Sequence, residues 1–335
     1  MKIADYQIGP GYPCFVIAEM GVNHNADLET ALRLVGAAKD AGAQAVKVQY
    51  FKAERFCSPQ AIYKDELQID LFRRYELSQR FVARIALECK DQGIIFFGTP
   101  DTVSAGEFLR ELGAPVMKVG SDDLVHHELI AGLAELRLPL ILSTGMATRE
   151  EIRQASRVVE SVWAGHGKWP GLLLMHCVSL YPTPLHKANL LRIQSLDGYS
   201  DHTDGIAAAV AAVAIGAVVI EKHFTLDRGS AGPDHSFSAD PQQFSEMVQG
   251  IRQVEQMLGT GEVDPGPEEL AMRRVARRSI IAECDISEGQ EIERKHLALK
   301  RPGTGLPPYE LGRVVGRQAK RAILNGTILQ WEDLE

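Results

Sequence analysis

Residues 15–19 read FVIAE, a short apolar run that ends on a glutamate. Seven similar runs follow: AVKVQ at 45–49, IIFFGT at 94–99, PVMKVGS at 115–121, LILST at 140–144, LLLMH at 172–176, GYSDH at 198–202 and VVIEKH at 218–223. A parallel strand that is covered on both faces reads as such a run. Seven helix-length segments separate the eight runs. Eight βα repeats predict an α/β protein built on a (β/α)8 TIM barrel, whose active site lies at the carboxyl ends of the strands.

The chain is long enough for this barrel and one small additional domain. The barrel is predicted over residues 1–258, with a capping box at Thr148–Glu151 and a last helix that begins after Asp240. Glycine and proline are frequent from residue 259, so we predict a linker over 259–276 that contains a short helix. Residues 277–335 are predicted to form a small β-rich domain, with a hairpin at Asn325-Gly326.

Composition and charge narrow the range of partners. The net charge of -8 argues against nucleic acid, because phosphate backbones are bound by basic surfaces. The 5 cysteines are scattered, which is typical of a reducing compartment. The amino terminus has no apolar leader, and the longest apolar stretch, 206–220, is too short to span a membrane. These features predict a cytoplasmic protein without a membrane partner.

Lys47 and Lys118 interrupt two strands that are otherwise apolar. Since neighbouring residues of a strand point to opposite faces, both lysines are predicted to face the barrel interior. Buried ammonium groups need anionic partners. Glu19 and Glu221 are one choice, and the carboxylate and phosphate of a substrate are another. A third possibility is a lysine that forms a Schiff base, which burial favours by lowering the pKa.

Two histidines, His202 and His223, end the two last strands, which are neighbours in a closed barrel. Asp201 and Glu221 flank them. Imidazole and carboxylate groups suit a divalent ion such as Mn²⁺, and a set of two histidines leaves the open positions that a catalytic metal needs. We therefore predict a metal site on His202 and His223.

Small hydroxyl side chains lie at the ends of strands 3 to 7. Such donors can hold a phosphate or a carboxylate, although helix capping is an alternative role for some of them. The set consists of Thr99, Ser121, Ser143, Thr144, Ser179 and Ser200.

The connection after the second strand comprises residues 51–77. A βα loop usually has about 2–6 residues, so this connection is unusually long. It holds Arg55, Tyr63, Lys64, Asp65, Arg73 and Tyr75. Long loops of this kind are often lids, so the segment is interpreted either as a lid or as a helical decoration of the barrel.

Several motifs together resemble the sialic acid synthase family. They are AEMGVNHN at 18–25, KVQ at 47–49, STGM at 143–146, HCVSLYPT at 176–183, SDHT at 200–203 and EKHFT at 221–225. Residues 277–335 resemble the antifreeze-like (SAF) domain of that family, including KRPG at 300–303. The resemblance extends over essentially the whole chain in the same order.

The resemblance implies an enzyme that condenses phosphoenolpyruvate with N-acetylmannosamine or a related amino sugar, in a domain-swapped homodimer. It implies a divalent metal, usually Mn²⁺ with Mg²⁺ or Co²⁺ possible, on His202 and His223. Together with Glu19 and Glu221, these histidines form the catalytic set. It places phosphoenolpyruvate on Lys47, Thr99, Lys118, Ser121, Ser143, Ser179 and Ser200. We assign the sugar to Asn23, Gln49, Asp123, Tyr181 and Asp234, with Arg301 from the partner chain.

Two departures from the family pattern lie near the predicted sugar site. The chain has Asp122-Asp123 where Gly-Glu is common, and Asp101-Thr102 where Phe-Asp is common. These departures leave the acceptor open between N-acetylmannosamine and the 2,4-diacetamido sugars of legionaminic and pseudaminic acid synthases. A class I aldolase with a Schiff base on Lys118 and a non-catalytic binding protein are the two rival interpretations.

Overall fold

The computed structural model describes residues 1–63, 66–165, 167 and 169–335. Lys64 and Asp65 of the predicted lid lie outside the described residues, as does His166. The chain divides into two compact units, Met1–Gly259 and Thr260–Glu335.

The first unit is a closed barrel of eight strands, each parallel to its neighbours. The strands are β1 (Phe15–Gly21), β2 (Ala45–Tyr50), β3 (Ile95–Pro100), β4 (Met117–Val119), β5 (Leu140–Ser143), β6 (Leu172–Cys177), β7 (Gly198–Asp201) and β8 (Val219–His223). The eight apolar runs thus become the eight strands, and the predicted fold is confirmed. A ribbon of Lys2–Ile3 and Tyr6–Gln7 precedes β1.

Helices follow seven of the eight strands. They are α1 (Leu28–Asp40), α2 (Gln79–Gln92), α3 (Val103–Glu111), α4 (His127–Glu135), α5 (Arg149–Ala164), α6 (Ala207–Ala214) and α7 (Pro241–Met257). The predicted capping box of Thr148 and Glu151 is present at α5. Asp240 caps α7, as predicted, with a proline in its first turn. Among the described residues, no helix is both long and apolar enough to cross a bilayer.

The connection from β6 to β7 differs from the prediction of a helix between every pair of strands. It holds two short 3-10 helices, Leu185–Lys187 and Leu190–Ser195. Pro182 and Pro184 lie at its start, and Asn189 has a left-handed backbone between the two turns. Proline disfavours an α-helical residue before it and a left-handed residue breaks the helical path, so a continuous α-helix cannot form here.

The long connection after β2 folds into small elements of its own. It contains the helices Ala53–Phe56 and Gln68–Arg73 and a ribbon of Ile62–Tyr63 with Glu66–Leu67. Ala53, Cys57 and Ile69 form a small apolar cluster inside the segment. This packing agrees with a helical decoration, while the lid stays a prediction.

The second unit begins within the predicted linker. Its helix α8 (Pro267–Ala276) is tied to the following domain, since Gly303 N donates to Arg274 O at 2.8 Å. Strands Ser279–Ala282 and Leu297–Lys300 pair antiparallel over an apolar core. Short turns complete the unit: 3-10 helices Arg294–His296, Pro308–Glu310 and Trp331–Asp333, and an α-helical turn Leu311–Val314.

The predicted hairpin at Asn325-Gly326 is only partly correct. The turn exists, with Thr327 N bonded to Leu324 O at 3.0 Å. However, its two arms pair with another part of the unit, Ile323 with Ile286 and Ile328 with Ile281. The Asn-Gly signal therefore located a turn, while the strand partners were set by the apolar core of the unit.

Candidate active site

Four charged side chains, each from a position within a strand, are buried together inside the barrel. Lys47 forms an ion pair with Glu19 and lies 3.5 Å from Glu221, and Lys118 lies 3.9 Å from the same Glu221 oxygen. All four side chains are at most 4% exposed. The pairing of both lysines with barrel glutamates, one of the alternatives left by the sequence, is therefore present. Two ammonium and two carboxylate groups make this cluster neutral overall.

The strand register brings these groups to one level of the barrel. Glu19 on β1 is opposite Lys47 on β2 and His223 on β8. A register shift follows Glu19, and Gly21 N donates to Glu19 Oε1 at 2.5 Å. Gly21 has φ of +52°, and a Cβ there would lie 3.2 Å from His223 Nδ1. This position thus favours glycine for both backbone and spatial reasons.

Burial and neighbouring charges act on the lysines in opposite directions. Burial alone would lower the pKa of Lys47, but Glu19 and Glu221 raise it above its ordinary value. Burial lowers the pKa of Lys118, and Glu221 offsets this only in part, so that the net shift is downward. Burial would raise the pKa of Glu221, yet the charges of Lys118 and Lys47 lower it. Lys47 is therefore a fixed cation, whereas Lys118 is the amine that more easily loses a proton.

Hydroxyl groups surround the charged cluster. Lys47 Nζ donates to Thr99 Oγ1 at 3.1 Å, and Lys118 Nζ donates to Ser143 Oγ at 2.6 Å. Ser200 Oγ donates to Glu221 at 3.1 Å. Thr144 differs from the rest, because its hydroxyl donates to Met175 O at 3.0 Å, which is a structural role.

Ser121, Gly145 and Ser179 lie close together, and we call this group the serine cradle. Gly145 N donates to Ser121 Oγ at 3.0 Å. Ser179 Oγ is buried, and no hydrogen-bond partner for it is found among the described residues. A Cβ on Gly145 would lie 2.4 Å from Ser179 Oγ and 2.7 Å from Ser121 Oγ. The two hydroxyl groups can therefore lie this close to residue 145 only because it has no side chain.

The two predicted metal ligands lie side by side. The rings of His202 and His223 are 5.3 Å apart between centroids, and both residues are 5% exposed. His202 Nδ1 lies 2.9 Å from Val178 O, and His223 Nδ1 lies 3.4 Å from Asp234 Oδ2. The contact with Val178 O engages Nδ1 of His202, whereas Nδ1 of His223 lies near Asp234 without a hydrogen-bond partner among the described residues. Groups of this kind beside a ligating histidine orient its ring.

The donor set at the two rings fits a weakly held divalent metal. No hydrogen bond to either Nε2 atom is found within the described part of the chain. No group of three or more His, Cys, Asp or Glu arranged to hold a metal occurs among the described residues. A metal on two imidazoles would therefore take its other ligands from water or substrate, which is the open arrangement that a catalytic site needs.

Asp201 does not belong to this site, although it precedes His202 in sequence. Its side chain is fully buried against Lys222, at 2.9 Å. Because side chains alternate along a strand, residues 201 and 222 point away from the face that carries His202 and His223. The flanking carboxylate expected beside the histidines is therefore not Asp201, and Glu221 lies with Lys47 and Lys118 in the buried cluster.

Three of the predicted sugar residues lie around the histidines. The Tyr181 ring is 4.4 Å from the His202 ring, and Asp234 contacts His223. Asn23 donates to Ser238 Oγ at 2.9 Å, and Ser238 Oγ donates in turn to Asp234 O. The Oδ1 atom of Asn23 is buried without a partner among the described residues.

The other predicted sugar residues are more dispersed. Gln49 is half-buried on β2 and in register with Thr99. Asp123 is half-buried in the loop after β4, and Arg301 is exposed in the second unit.

Cys177 and Gly145 were missed by the sequence analysis. Cys177 Sγ lies 3.7 Å from His202 Nδ1. Burial alone would raise the pKa of this thiol, but the neighbouring His202 lowers it. The strand period of two could have placed Cys177 inside the barrel, because His176 points outward and contacts Ala188 O at 2.8 Å. The role of Gly145 depends on two loops that only the fold brings together.

Comparison with known proteins agrees with this geometry. Residues 34–263 match the model of the NeuB family, and residues 277–335 match that of the SAF domain. The chain belongs to the NeuB family. This confirms the resemblance drawn from the motifs, and the members named below are synthases.

Relatives of known product span the range of acceptors considered above. The chain is 39% identical to N,N'-diacetyllegionaminic acid synthase of Legionella pneumophila, covering 98% of this chain and 96% of that protein. It is 32% identical to pseudaminic acid synthase of Campylobacter jejuni, covering 96% of each. The structure of sialic acid synthetase from Leptospira borgpetersenii, in complex with citrate, matches with 33% identity and a TM-score of 0.74, covering 81% of this chain and 94% of that one.

Asp123 should make stability depend on pH. Burial, followed by the charge of Asp122, raises the pKa of Asp123 from 3.8 to about 6. The folded protein therefore holds this proton more tightly than the unfolded chain. The free energy of unfolding therefore falls as pH rises from about 4 to about 6, and this loss stays constant at higher pH. Asp123→Asn should remove at most about 3 kcal/mol of this loss.

The measurement is urea unfolding of wild type and Asp123→Asn at pH 4 and pH 8. The variant should be more stable than wild type at pH 8 and nearly equal to it at pH 4. Asp5→Asn is the matched control, because Asp5 is fully exposed. Equal stability of Asp123→Asn and wild type at both pH values would show that the ionised Asp123 carboxylate does not destabilise the fold.

Proposed function

We propose that this protein condenses phosphoenolpyruvate with an open-chain 2-acetamido sugar, releasing phosphate and forming a nonulosonic acid. The observation that carries the proposal is the buried cluster of Lys47, Lys118, Glu19 and Glu221 surrounded by hydroxyl donors. Membership of the NeuB family supports the same reaction. The relatives' names support sialic, legionaminic or pseudaminic acid as the class of product.

Binding of phosphoenolpyruvate would use both charged and neutral donors. Lys47 and Lys118 already have glutamate partners, so the cluster offers little net charge to an anion. The neutral donors Thr99, Ser143, Ser200 and the serine cradle can supply the remaining hydrogen bonds to carboxylate and phosphate. When a divalent metal such as Mn²⁺ is bound at His202 and His223, it supplies a Lewis acid for the aldehyde oxygen of the sugar.

The barrel residues would position the reacting carbons. The lysines and hydroxyls hold phosphoenolpyruvate so that its C3 faces C1 of the sugar aldehyde, which is a proximity effect. The electron pair of the C2=C3 double bond forms the new C–C bond, the C=O double bond of the aldehyde opens to an alkoxide that takes a proton from water, and C2 gains positive charge. Glu19, held by Lys47 and by Gly21 N, is placed to stabilise that charge or to take a proton from the water that attacks C2. Phosphate then leaves by cleavage of the C–O bond.

We further propose a cytoplasmic, domain-swapped homodimer. All five cysteines are free, which suits a reducing compartment. Arg301 is exposed in the second unit, at the position where the family resemblance assigns an arginine to the partner's sugar site. Asn23, Gln49, Asp123, Tyr181 and Asp234 would complete the sugar contacts.

A Schiff-base aldolase is the second candidate, and one observation favours it. The lowered pKa of Lys118 leaves more of its amine neutral, as a Schiff-base lysine requires. However, Lys118 Nζ donates to Ser143 Oγ at 2.6 Å and lies 3.9 Å from Glu221, so two barrel side chains already hold this nitrogen.

The direct test of the proposed reaction is phosphate release from phosphoenolpyruvate with Mn²⁺, with and without an acceptor. The acceptors are N-acetylmannosamine and the 2,4-diacetamido sugars that lead to legionaminic and pseudaminic acids. Release that depends on one sugar is expected and would identify the acceptor. If none of these sugars supports phosphate release and borohydride traps pyruvate on Lys118, the protein is an aldolase and not a synthase.

Gly145→Ala should weaken phosphoenolpyruvate binding strongly while leaving the fold intact. The new Cβ would occupy the serine cradle, and Ser121 and Ser179 would lose their shared space. The affinity for phosphoenolpyruvate should fall at least about 100-fold, corresponding to about 2.7 kcal/mol, as measured by calorimetry. Gly36→Ala is the control, since nothing lies within 4 Å of a Cβ at this helical position. Unchanged affinity in Gly145→Ala would remove the serine cradle from the site.

Arg301→Ala should raise KM for the sugar about tenfold, the effect of losing about 1.4 kcal/mol of binding, with a smaller effect on KM for phosphoenolpyruvate. Steady-state kinetics with each substrate varied in turn measures both constants. Arg278→Ala, another exposed arginine of the same unit, serves as control. If the sugar KM of Arg301→Ala equals that of wild type, Arg301 does not bind the sugar.

A further inference from the structure

The ion pair of Asp201 and Lys222 has no part in the proposed chemistry. Both side chains are fully buried, with Lys222 Nζ 2.9 Å from Asp201 Oδ2. Replacing a buried ion pair by apolar residues is often neutral or stabilising, so stability alone does not explain such a pair. It lies outside the ring of residues that would contact substrate.

Its place in the sheet suggests another role. Asp201 and Lys222 are the last registered pair between β7 and β8. His202 and His223 follow them directly, and His202 lies beyond the end of β7. The pairing of these two strands therefore stops one residue before the position at which the imidazoles must be held.

The ion pair continues the connection beyond that point. Asp201 Oδ1 accepts from Thr203 N at 2.8 Å, and Lys222 Nζ donates to Thr203 O at 2.5 Å. The backbone directly after His202 is thus anchored at Thr203 by one side chain from β7 and one from β8. Thr183 N also donates to His202 O at 2.8 Å, but Thr183 belongs to the β6–β7 connection and does not reach β8.

We propose that Asp201 and Lys222 are positioning residues that fix the separation of His202 and His223, and so set the affinity of the two imidazoles for a divalent cation. The inference rests on the metal site of the proposed function. Hydrogen bonds behind the ligands usually change metal affinity by about 10–100-fold when they are lost.

The test measures Mn²⁺ binding to the metal-stripped full chain, without substrates, from the electron paramagnetic resonance signal of free Mn²⁺. The key variant is Asp201→Asn with Lys222→Met, which removes both charges and the cross-strand link without leaving a charge unpaired. Its Kd for Mn²⁺ should rise about 10–100-fold. Asp201→Asn with Lys222→Gln can keep a neutral hydrogen bond between the strands, and its Kd should stay within about threefold of wild type.

A control separates positioning from general loss of stability. Arg252 forms an ion pair with Glu255 at 2.6 Å and donates to Cys14 O, just before the start of β1. Arg252→Met should lower the thermal midpoint without changing the Kd for Mn²⁺. Circular dichroism on every variant confirms that it is folded.

The outcomes distinguish this inference from the metal site itself. Wild type should bind Mn²⁺, and the double substitution of His202 and His223 by alanine should abolish that binding. If the histidine variant still binds Mn²⁺ as wild type does, the metal site is wrong and the inference falls with it. If that control behaves as expected, a Kd for the Asn/Met variant within twofold of wild type would overturn the positioning role alone.

Discussion

Mutual neutralisation of two buried lysines and two buried glutamates is the interaction on which the barrel mouth depends. An isolated ammonium or carboxylate group could not stay charged at this depth. Because Glu221 is shared between Lys47 and Lys118, strands β2, β4 and β8 are linked across the interior. The charges are thus held in place before any ligand arrives, which is the preorganisation that electrostatic catalysis requires.

This arrangement also has a cost for substrate binding. A substrate with several negative charges meets a site whose cations already have partners. Its attraction must come from groups that are not neutralised, namely hydroxyls, backbone N–H groups and a metal at the two histidines. The neutral serine cradle and the open pair of imidazoles are consistent with that requirement.

The sequence predicted the barrel because each strand is a local apolar run that must be covered on both faces. Where the structure depends on distant partners, the prediction failed. The arms of the Asn325-Gly326 turn pair with residues about 40 positions earlier, which no local pattern reveals. The segment between β6 and β7 has the length of a helix, but its prolines and Asn189 break it into 3-10 turns.

The candidate site was predictable to the same degree. The alternation of side chains placed Lys47 and Lys118 on the inner face, and the two histidines were predicted to be neighbours because they end adjacent strands. The sequence does not show which carboxylate pairs with which cation. The serine cradle depends on Gly145 having no side chain. The sequence alone does not show this, because only the folded loops bring Ser121 and Ser179 next to residue 145.

The register of the last strand has a consequence for how the molecule is made. Glu19 and His223 face each other across the junction of β1 and β8, although about 200 residues separate them in the chain. During synthesis, β1 has an unpaired edge until β8 emerges, and this edge is open to wrong partners. Barrel closure and assembly of the site are therefore the same event, and a nascent chain that ends before residue 223 can have neither.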